Sequence, residues 1–200
     1  MQHLTAGLAR HWLDALNGAI ALFIGGAIVA PVLGALGWSA PAQALYAAYH
    51  LTCHQWAFRS FFLFGAQPVY AREQLDALGR DPFTFAGDAS LGWKMAFCER
   101  DLAIYAGVLL VGAVFARRRR LRPLGYGAYA LLALPMAVDG FTQLFGWRES
   151  TWELRVITGL VFGLASAWLV YPRLDDAFGT SPAARRYAPE QPCAAVSPRG

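Results

Sequence analysis

The stretch from Leu16 to Trp38 constrains the fold most, because it contains no charged residue over the length that a helix needs to cross a bilayer. A spanning helix requires about 20 consecutive, mostly apolar residues. Three further segments have this character, namely Leu102–Ala116, Gly125–Phe145 and Val156–Tyr171. The pattern predicts an all-α polytopic membrane protein, a helix bundle with four spanning helices in the lipid bilayer.

A fifth segment, Pro41–Gly65, is long enough to span but is interrupted by polar residues, which are His50, His54, Gln55 and Arg59. We expect it to form one amphipathic or re-entrant helix at the membrane surface. Whether it crosses the membrane stays open at the level of sequence.

The basic residues are concentrated in one place. Five of the 17 basic residues lie in the run RRRRLR, Arg117–Arg122, between two apolar segments. Hydrophobic residues make up 56% of the chain and charged residues only 15%, which is unlike a soluble domain. The run therefore indicates a cytoplasmic loop between spanning helices, and we expect no nucleic-acid partner.

The positive-inside rule then orients the chain. With Arg117–Arg122 in the cytoplasm, alternation of the spans returns Arg173, Arg185 and Arg186 to the same side. The connection Ala66–Phe97 lies outside. We expect a transmembrane domain over residues 1–175 and a disordered cytoplasmic tail over residues 176–200, which is rich in Pro, Ala and Ser.

Several polar residues converge on the outer side. Asp139 lies in the outer half of a spanning segment, and Gln143 follows it by one helical turn. A carboxylate in a span indicates a functional site, but it is equally consistent with an ion pair to Arg100 or Arg155 that locks helices together. Arg148 belongs to the short outer turn before Arg155.

Cysteine and histidine residues form a second group. Cys53, His54 and Cys98 suit tetrahedral zinc or a softer metal, with Asp101 or His50 as the fourth ligand. Adjacent Cys53 and His54 could bind one ion only at a bend or a helix end. A Cys53–Cys98 disulfide, or no partnership at all, remains open.

The small-xxx-small pattern Gly159–Gly163 is typical of close helix packing. It also allows a homo-oligomer through Gly159 and Gly163.

Five motifs resemble a known family, over roughly Tyr46–Pro172. They are CHQ, FRSFFLFG, FCERDLAIYAG, PMAVDGFTQLFGWREST and ELRVITGLVFG, in this order. The series is similar to a family of prokaryotic membrane proteins, domain of unknown function 2085. The resemblance implies a location in the cytoplasmic membrane and a Cys-His plus Cys-x-x-Cys metal or redox centre. Here Asp101 replaces the second cysteine of that motif, and aspartate can ligate zinc but cannot form a dithiol.

The leading hypothesis is an integral membrane protein with a metal-binding site at the outer face, and its enzymatic version is a metal-dependent hydrolase. In that version zinc is held by Cys53, His54, Cys98 and Asp101. The candidate catalytic residues are Asp139 and Gln143, and an anionic group would be oriented by Arg100, Arg148 and Arg155. The alternative is a non-catalytic structural or accessory subunit with a Cys53–Cys98 disulfide and an Arg/Asp ion-pair network.

Overall fold

The computed structural model describes residues 2–119 and 121–178, and six helices account for most of them. The helices are α1 (Gln2–Ala35), α2 (Ser39–Tyr49), α3 (Arg72–Ala77), α4 (Glu99–Arg117), α5 (Tyr126–Leu144) and α6 (Trp152–Ala177). Between α2 and α4 lie a 3₁₀ turn (Ala57–Arg59) and three short strands, β1 (Phe62–Leu63), β2 (Gly87–Asp88) and β3 (Gly92–Lys94). The predicted helical fold is confirmed in its main part, but the chain is not purely α.

The four long helices pack in the order α1, α4, α6, α5. The closest approach is between α4 and α6, where glycines replace larger side chains. A Cβ atom added at Gly159 would lie 2.8 Å from the carbonyl oxygen of Arg100, and one added at Gly107 would lie 2.7 Å from that of Leu160. Gly163 meets the Ile104 carbonyl in the same way. The small-residue pattern is therefore used within the chain, and the face predicted for a homo-oligomer is buried against α4.

Two helices have the length and hydropathy of a membrane span, over His11–Ala35 and Trp152–Ala177. The sequence predicts four. Both α4 and α5 have 19 residues, enough for about 28 Å. However, α4 begins with three charged residues and α5 contains Asp139 and Gln143. Two spans, rather than four, meet this measure among the described residues.

The predicted helix over Pro41–Gly65 is wrong in its extent. Its helical part, α2, ends at Tyr49, and 11 residues cover about 16 Å, half the hydrocarbon thickness. After the turn that follows Tyr49, Gln55 adopts a φ of 54°, which a right-handed helix does not accommodate. The Gln55 Nε2 atom donates at 2.7 Å to the Tyr46 carbonyl, which also accepts from the His50 N–H at 2.9 Å.

The three strands form a small antiparallel sheet with the order β1-β3-β2. Phe62 faces Lys94 and Gly87 faces Trp93 across it. Beside the sheet lies an apolar cluster of Ala57, Phe58, Phe62, Tyr70 and Leu75. We call this end of the bundle, formed by residues 50–98, the start of α4 and the α5–α6 turn, the sheet end.

Helix α6 continues to Ala177, two residues beyond the predicted end of the transmembrane domain at residue 175. Residues 179–200 of the predicted disordered tail, including Cys193, lie outside the described residues.

Candidate functional site

Cys53 follows the end of α2 and is held inside the bundle. Its backbone N–H donates to the Tyr49 carbonyl at 3.0 Å. The side chain is 8% exposed and packs with Ala27, Tyr49 and Phe97 among others. The turn after α2 thus presents one thiol from a rigid apolar core.

Cys98 is the N-cap of α4, and its sulfur accepts from the Asp101 N–H at 3.4 Å. Its own N–H donates to the Cys53 sulfur at 3.3 Å. The ligand atoms of Cys53, Cys98 and Asp101 all lie within 4.8 Å of one another. We call these three residues the Cys–Asp cluster.

The two thiols are free in this structure, so the disulfide of the alternative hypothesis is not formed. The side-chain hydrogen bond between the two thiols lowers the pKa of Cys53 and raises the pKa of Cys98. Thiolates are the form of cysteine that binds metals.

His54 is one of the predicted metal ligands, but the described cluster does not include it. The His54 ring is exposed and stacks on Trp56, with 5.3 Å between the ring centroids. Since the neighbouring Cys53 points into the core, His54 points away from it. Both His50 and His54 nevertheless line the cavity onto which the cluster opens.

Gln55 and Lys94 shape the site and were not predicted. The Lys94 ammonium donates to the Gln55 carbonyl, and the Lys94 side chain is buried. Burial lowers the pKa of Lys94 to about 8. The bond fastens the strained turn that follows Cys53 to strand β3. Lys94 is the single lysine of the chain, but nothing in its sequence neighbourhood indicates burial.

Asp139 lies at the centre of an ion-pair network and is 1% exposed. Its carboxylate accepts from Arg100 on α4, from Arg148 on the α5–α6 turn and from Ser150 Oγ, the last at 3.0 Å. Each oxygen therefore has a protein donor, which is the arrangement of an interhelical lock. The catalytic role of Asp139 stays a prediction.

Arg155 and Glu149 extend this network. Arg155 donates to buried Glu99 at 2.7 Å and to Glu149 at 3.1 Å. Glu149 also accepts from Arg59 at 2.8 Å and from Gln143 Nε2 at 2.8 Å. We call the whole set the arginine network, and its members are Arg59, Arg100, Arg148, Arg155, Glu99, Asp139 and Glu149.

The cluster and the network meet at one cavity of about 400 Å³. Most of the predicted site residues line it, namely Cys53, His54, Cys98, Arg100, Asp101, Gln143 and Arg155. Arg59, which was not predicted as a site residue, lines it as well, whereas Asp139 and Arg148 are not among the lining residues. The sheet end thus carries a pocket lined by two thiols and by three guanidinium groups.

This architecture is a mostly helical bundle in which two helices are long and apolar enough to cross a membrane. The profile of the family described as "Predicted membrane protein (DUF2085)" matches residues 89–169. The uncharacterized protein MJ1492 of Methanocaldococcus jannaschii is 36% identical over 152 residues, which cover 72% of this chain and 80% of that protein. The chain therefore belongs to the DUF2085 family of predicted membrane proteins.

A second relative supports this assignment over a shorter stretch. An uncharacterized protein of Methanothermobacter thermautotrophicus is 39% identical over 83 residues, covering 39% of this chain and 71% of that protein. No solved structure matches the chain.

Proposed function

We propose that this protein is an integral protein of the prokaryotic cytoplasmic membrane in which Cys53, Cys98 and Asp101 bind one zinc ion. The observation that carries the proposal is the convergence of two thiols and a carboxylate within 4.8 Å. These residues come from two separate parts of the chain, the turn after α2 and the start of α4, so the fold and not local sequence brings them together.

The spacing fits the metal. With Zn–S bonds of about 2.3 Å and tetrahedral angles, two sulfur ligands lie about 3.8 Å apart, and a carboxylate oxygen lies slightly closer. The cluster needs only small side-chain rotations to reach these distances. Backbone N–H groups already point at both sulfurs, at 3.3 Å and 3.4 Å, which is the kind of support that stabilises ligating thiolates.

Three protein ligands leave a fourth coordination position open, as in catalytic zinc sites. A zinc ion held by the three residues would supply Lewis acidity toward an oxygen of a molecule bound at the open position. The enzymatic form of the proposal is a metal-dependent hydrolase acting on an amphiphilic substrate. His54 and His50 at the cavity rim are the candidates for a fourth ligand when no substrate is present.

We also propose that α4 and α5 span the membrane beside α1 and α6. The polar residues that lower the hydropathy of α5 are satisfied inside the protein, since Asp139 is paired with two arginines. A buried, paired carboxylate is compatible with a spanning helix. The opposite face of α5 exposes large apolar side chains, including Leu131, Leu134, Val138 and Phe141. In this arrangement both the loop after α4 and the C-terminus are cytoplasmic.

The arginine network favours a second candidate function, that of a structural or accessory subunit. Asp139 has its oxygens occupied by Arg100, Arg148 and Ser150, which suits a role in holding helices rather than in proton transfer. In that case the two thiols would act without a metal, free or as a disulfide.

Metal analysis of the protein purified in a maltoside detergent tests the first candidate. We expect about one zinc per chain, because three ligands of a preformed site bind zinc tightly. Cys98→Ser should lower the bound zinc at least about tenfold, since it removes one first-sphere thiolate. Cys193→Ser is the matched control and should retain the metal.

The competing outcome is equally measurable by thiol labelling. If no zinc is bound after zinc loading and the Cys53 and Cys98 thiols react only after reduction, the two residues form a disulfide and the metal proposal is contradicted.

A further inference from the structure

We infer that the cavity beside the Cys–Asp cluster binds a phosphate-type oxyanion, which is held by Arg59, Arg100 and Arg155. Phosphate would be the ligand class of the proposed zinc site, and any bond between the oxyanion and zinc rests on that proposal. The geometric support for the oxyanion comes from the arginines themselves.

The three arginines share the cavity with the cluster. They come from three different elements, the 3₁₀ turn, α4 and α6, and all line the same space of about 400 Å³. Among the described lining residues, Asp101 is the one carboxylate, and it belongs to the cluster. The carboxylates that pair with the arginines, Glu99, Asp139 and Glu149, are absent from that lining. The cavity surface away from the cluster is therefore cationic.

The arginines retain donors that their protein partners do not use. A guanidinium group has five N–H donors. Arg155 gives its terminal nitrogens to Glu99, Glu149 and the Ser150 carbonyl, while its Nε atom is buried without a partner among the described residues. The Nε atom of Arg100 is also buried without a hydrogen-bond partner among the described residues. A buried donor left unpaired destabilises the folded chain, and an oxyanion that draws the side chains toward it would relieve that cost.

The charges of the network point the same way. Four guanidinium groups, of Arg59, Arg100, Arg148 and Arg155, are paired with three carboxylates, of Glu99, Asp139 and Glu149. Asp101 belongs to the cluster and is not counted here; without it the set carries a net charge of +1, although each arginine has a carboxylate partner. An anion in the cavity would balance this charge.

Phosphate fits these groups better than a carboxylate does. A tetrahedral phosphoryl group presents three oxygens, which can face guanidinium groups from several directions, and arginine binds phosphate with paired N–H donors. One oxygen remains free to approach the Cys–Asp cluster. The same chemistry is offered by free inorganic phosphate and by the headgroup of a lipid, and the exposed Leu51 at the rim leaves room for an attached chain.

Equilibrium dialysis of the full chain in maltoside detergent, with radiolabelled inorganic phosphate and with dodecyl phosphate, tests the inference. We expect saturable binding of both probes. Arg59→Gln should weaken binding about tenfold or more, because it removes one charged donor while leaving the buried Arg100 and Arg155 in place. Arg72→Gln is the matched control, since Arg72 is exposed at the same end, stacks on Phe83 and lies off this cavity.

The two probes separate the two sources of phosphate. Equal affinities indicate free phosphate, whereas binding of dodecyl phosphate that is tighter by about tenfold or more indicates a lipid headgroup. Lack of saturable binding of either probe, or an equal loss in Arg59→Gln and Arg72→Gln, would overturn the inference.

Repeating the dialysis on Cys98→Ser distinguishes this inference from the zinc proposal. Zinc binding by the native chain without phosphate binding removes the anion site and leaves the metal site standing. If the native chain holds no zinc and phosphate binding is the same in the native chain and in Cys98→Ser, the anion site is supported and the zinc proposal is contradicted.

Discussion

Lys94 is buried at the sheet end, where it donates to a backbone carbonyl and lies over the Tyr46 ring. A lysine beside a membrane is expected to extend its ammonium group toward water. Here the side chain is 4% exposed, and burial lowers its pKa from 10.5 to about 8. The turn that carries Cys53 thus depends on an amine that is partly neutral near physiological pH.

This pKa shift predicts a pH-dependent stability. Between the two pKa values the unfolded chain binds more protons than the folded chain, so the free energy of unfolding rises with pH in that window. The Lys94 contribution should grow by about 2 kcal/mol from about pH 7 to about pH 9.5. Denaturant titrations of the native chain and of Lys94→Met, compared at each pH, measure it. A difference that stays constant with pH would contradict a buried lysine.

Among the site residues, sequence and structure agree where a residue's direction follows from its element. Cys98 and Asp101 begin one helix, and the helix N-terminus fixes both. The metal and disulfide hypotheses both require Cys53 to lie near Cys98, and the core around Tyr49 and Phe97 holds the two residues together. The direction of the His54 side chain could not be predicted from the sequence. His54 lies beside Gln55, whose φ is positive and whose carbonyl accepts a hydrogen bond from Lys94 on β3, 39 residues away.

At the scale of elements, long apolar helices were predictable and the small sheet was not. Strands of two or three residues show no alternation that distinguishes them from loops. The small-residue pattern of α6 predicted a close contact, but the sequence could not say with which partner. The structure gives α4 as that partner, through Gly107, Gly159 and Gly163.

The α4–α6 contact therefore predicts the effect of a methyl group. Gly163→Ala should lower the free energy of unfolding by about 1–3 kcal/mol, and with it the unfolding temperature, because the new Cβ atom meets the rigid backbone carbonyl of Ile104. Gly25→Ala on α1 is the matched control, with no atom within 4 Å of the added Cβ, and should be neutral or slightly stabilising. Thermal unfolding in detergent measures both.

Size-exclusion chromatography of the same variants addresses the homo-oligomer. If Gly163→Ala changes the size of the particle while the unfolding temperature stays unchanged, Gly163 lies at an interface between copies rather than against α4.

At the scale of the whole molecule, the number of spans decides where the arginine-rich loop lies. With four spans, α4 carries the chain back to the cytoplasm, and Leu124 lies on the same side as the C-terminus. With α1 and α6 as the sole spans, the hairpin of α4 and α5 would stay outside and Leu124 would lie on the opposite side. That topology requires the loss of the hydrogen bond from Arg173, near the end of α6, to the Leu124 carbonyl, which the structure gives at 3.0 Å. The two topologies therefore place Leu124 on different sides of the membrane, which labelling can test.

Labelling of intact cells with a membrane-impermeant maleimide measures this position. We expect Leu124→Cys to react only after permeabilisation, like native Cys193 in the C-terminal tail, because the positive-inside rule holds the arginine run in the cytoplasm. Asp76→Cys on exposed α3 should react in intact cells. Reaction of Leu124→Cys in intact cells would establish two spans and move Arg117–Arg122 outside. In that topology the buried pairing of Asp139 with Arg100 and Arg148 would lock an extramembrane hairpin instead of a spanning one.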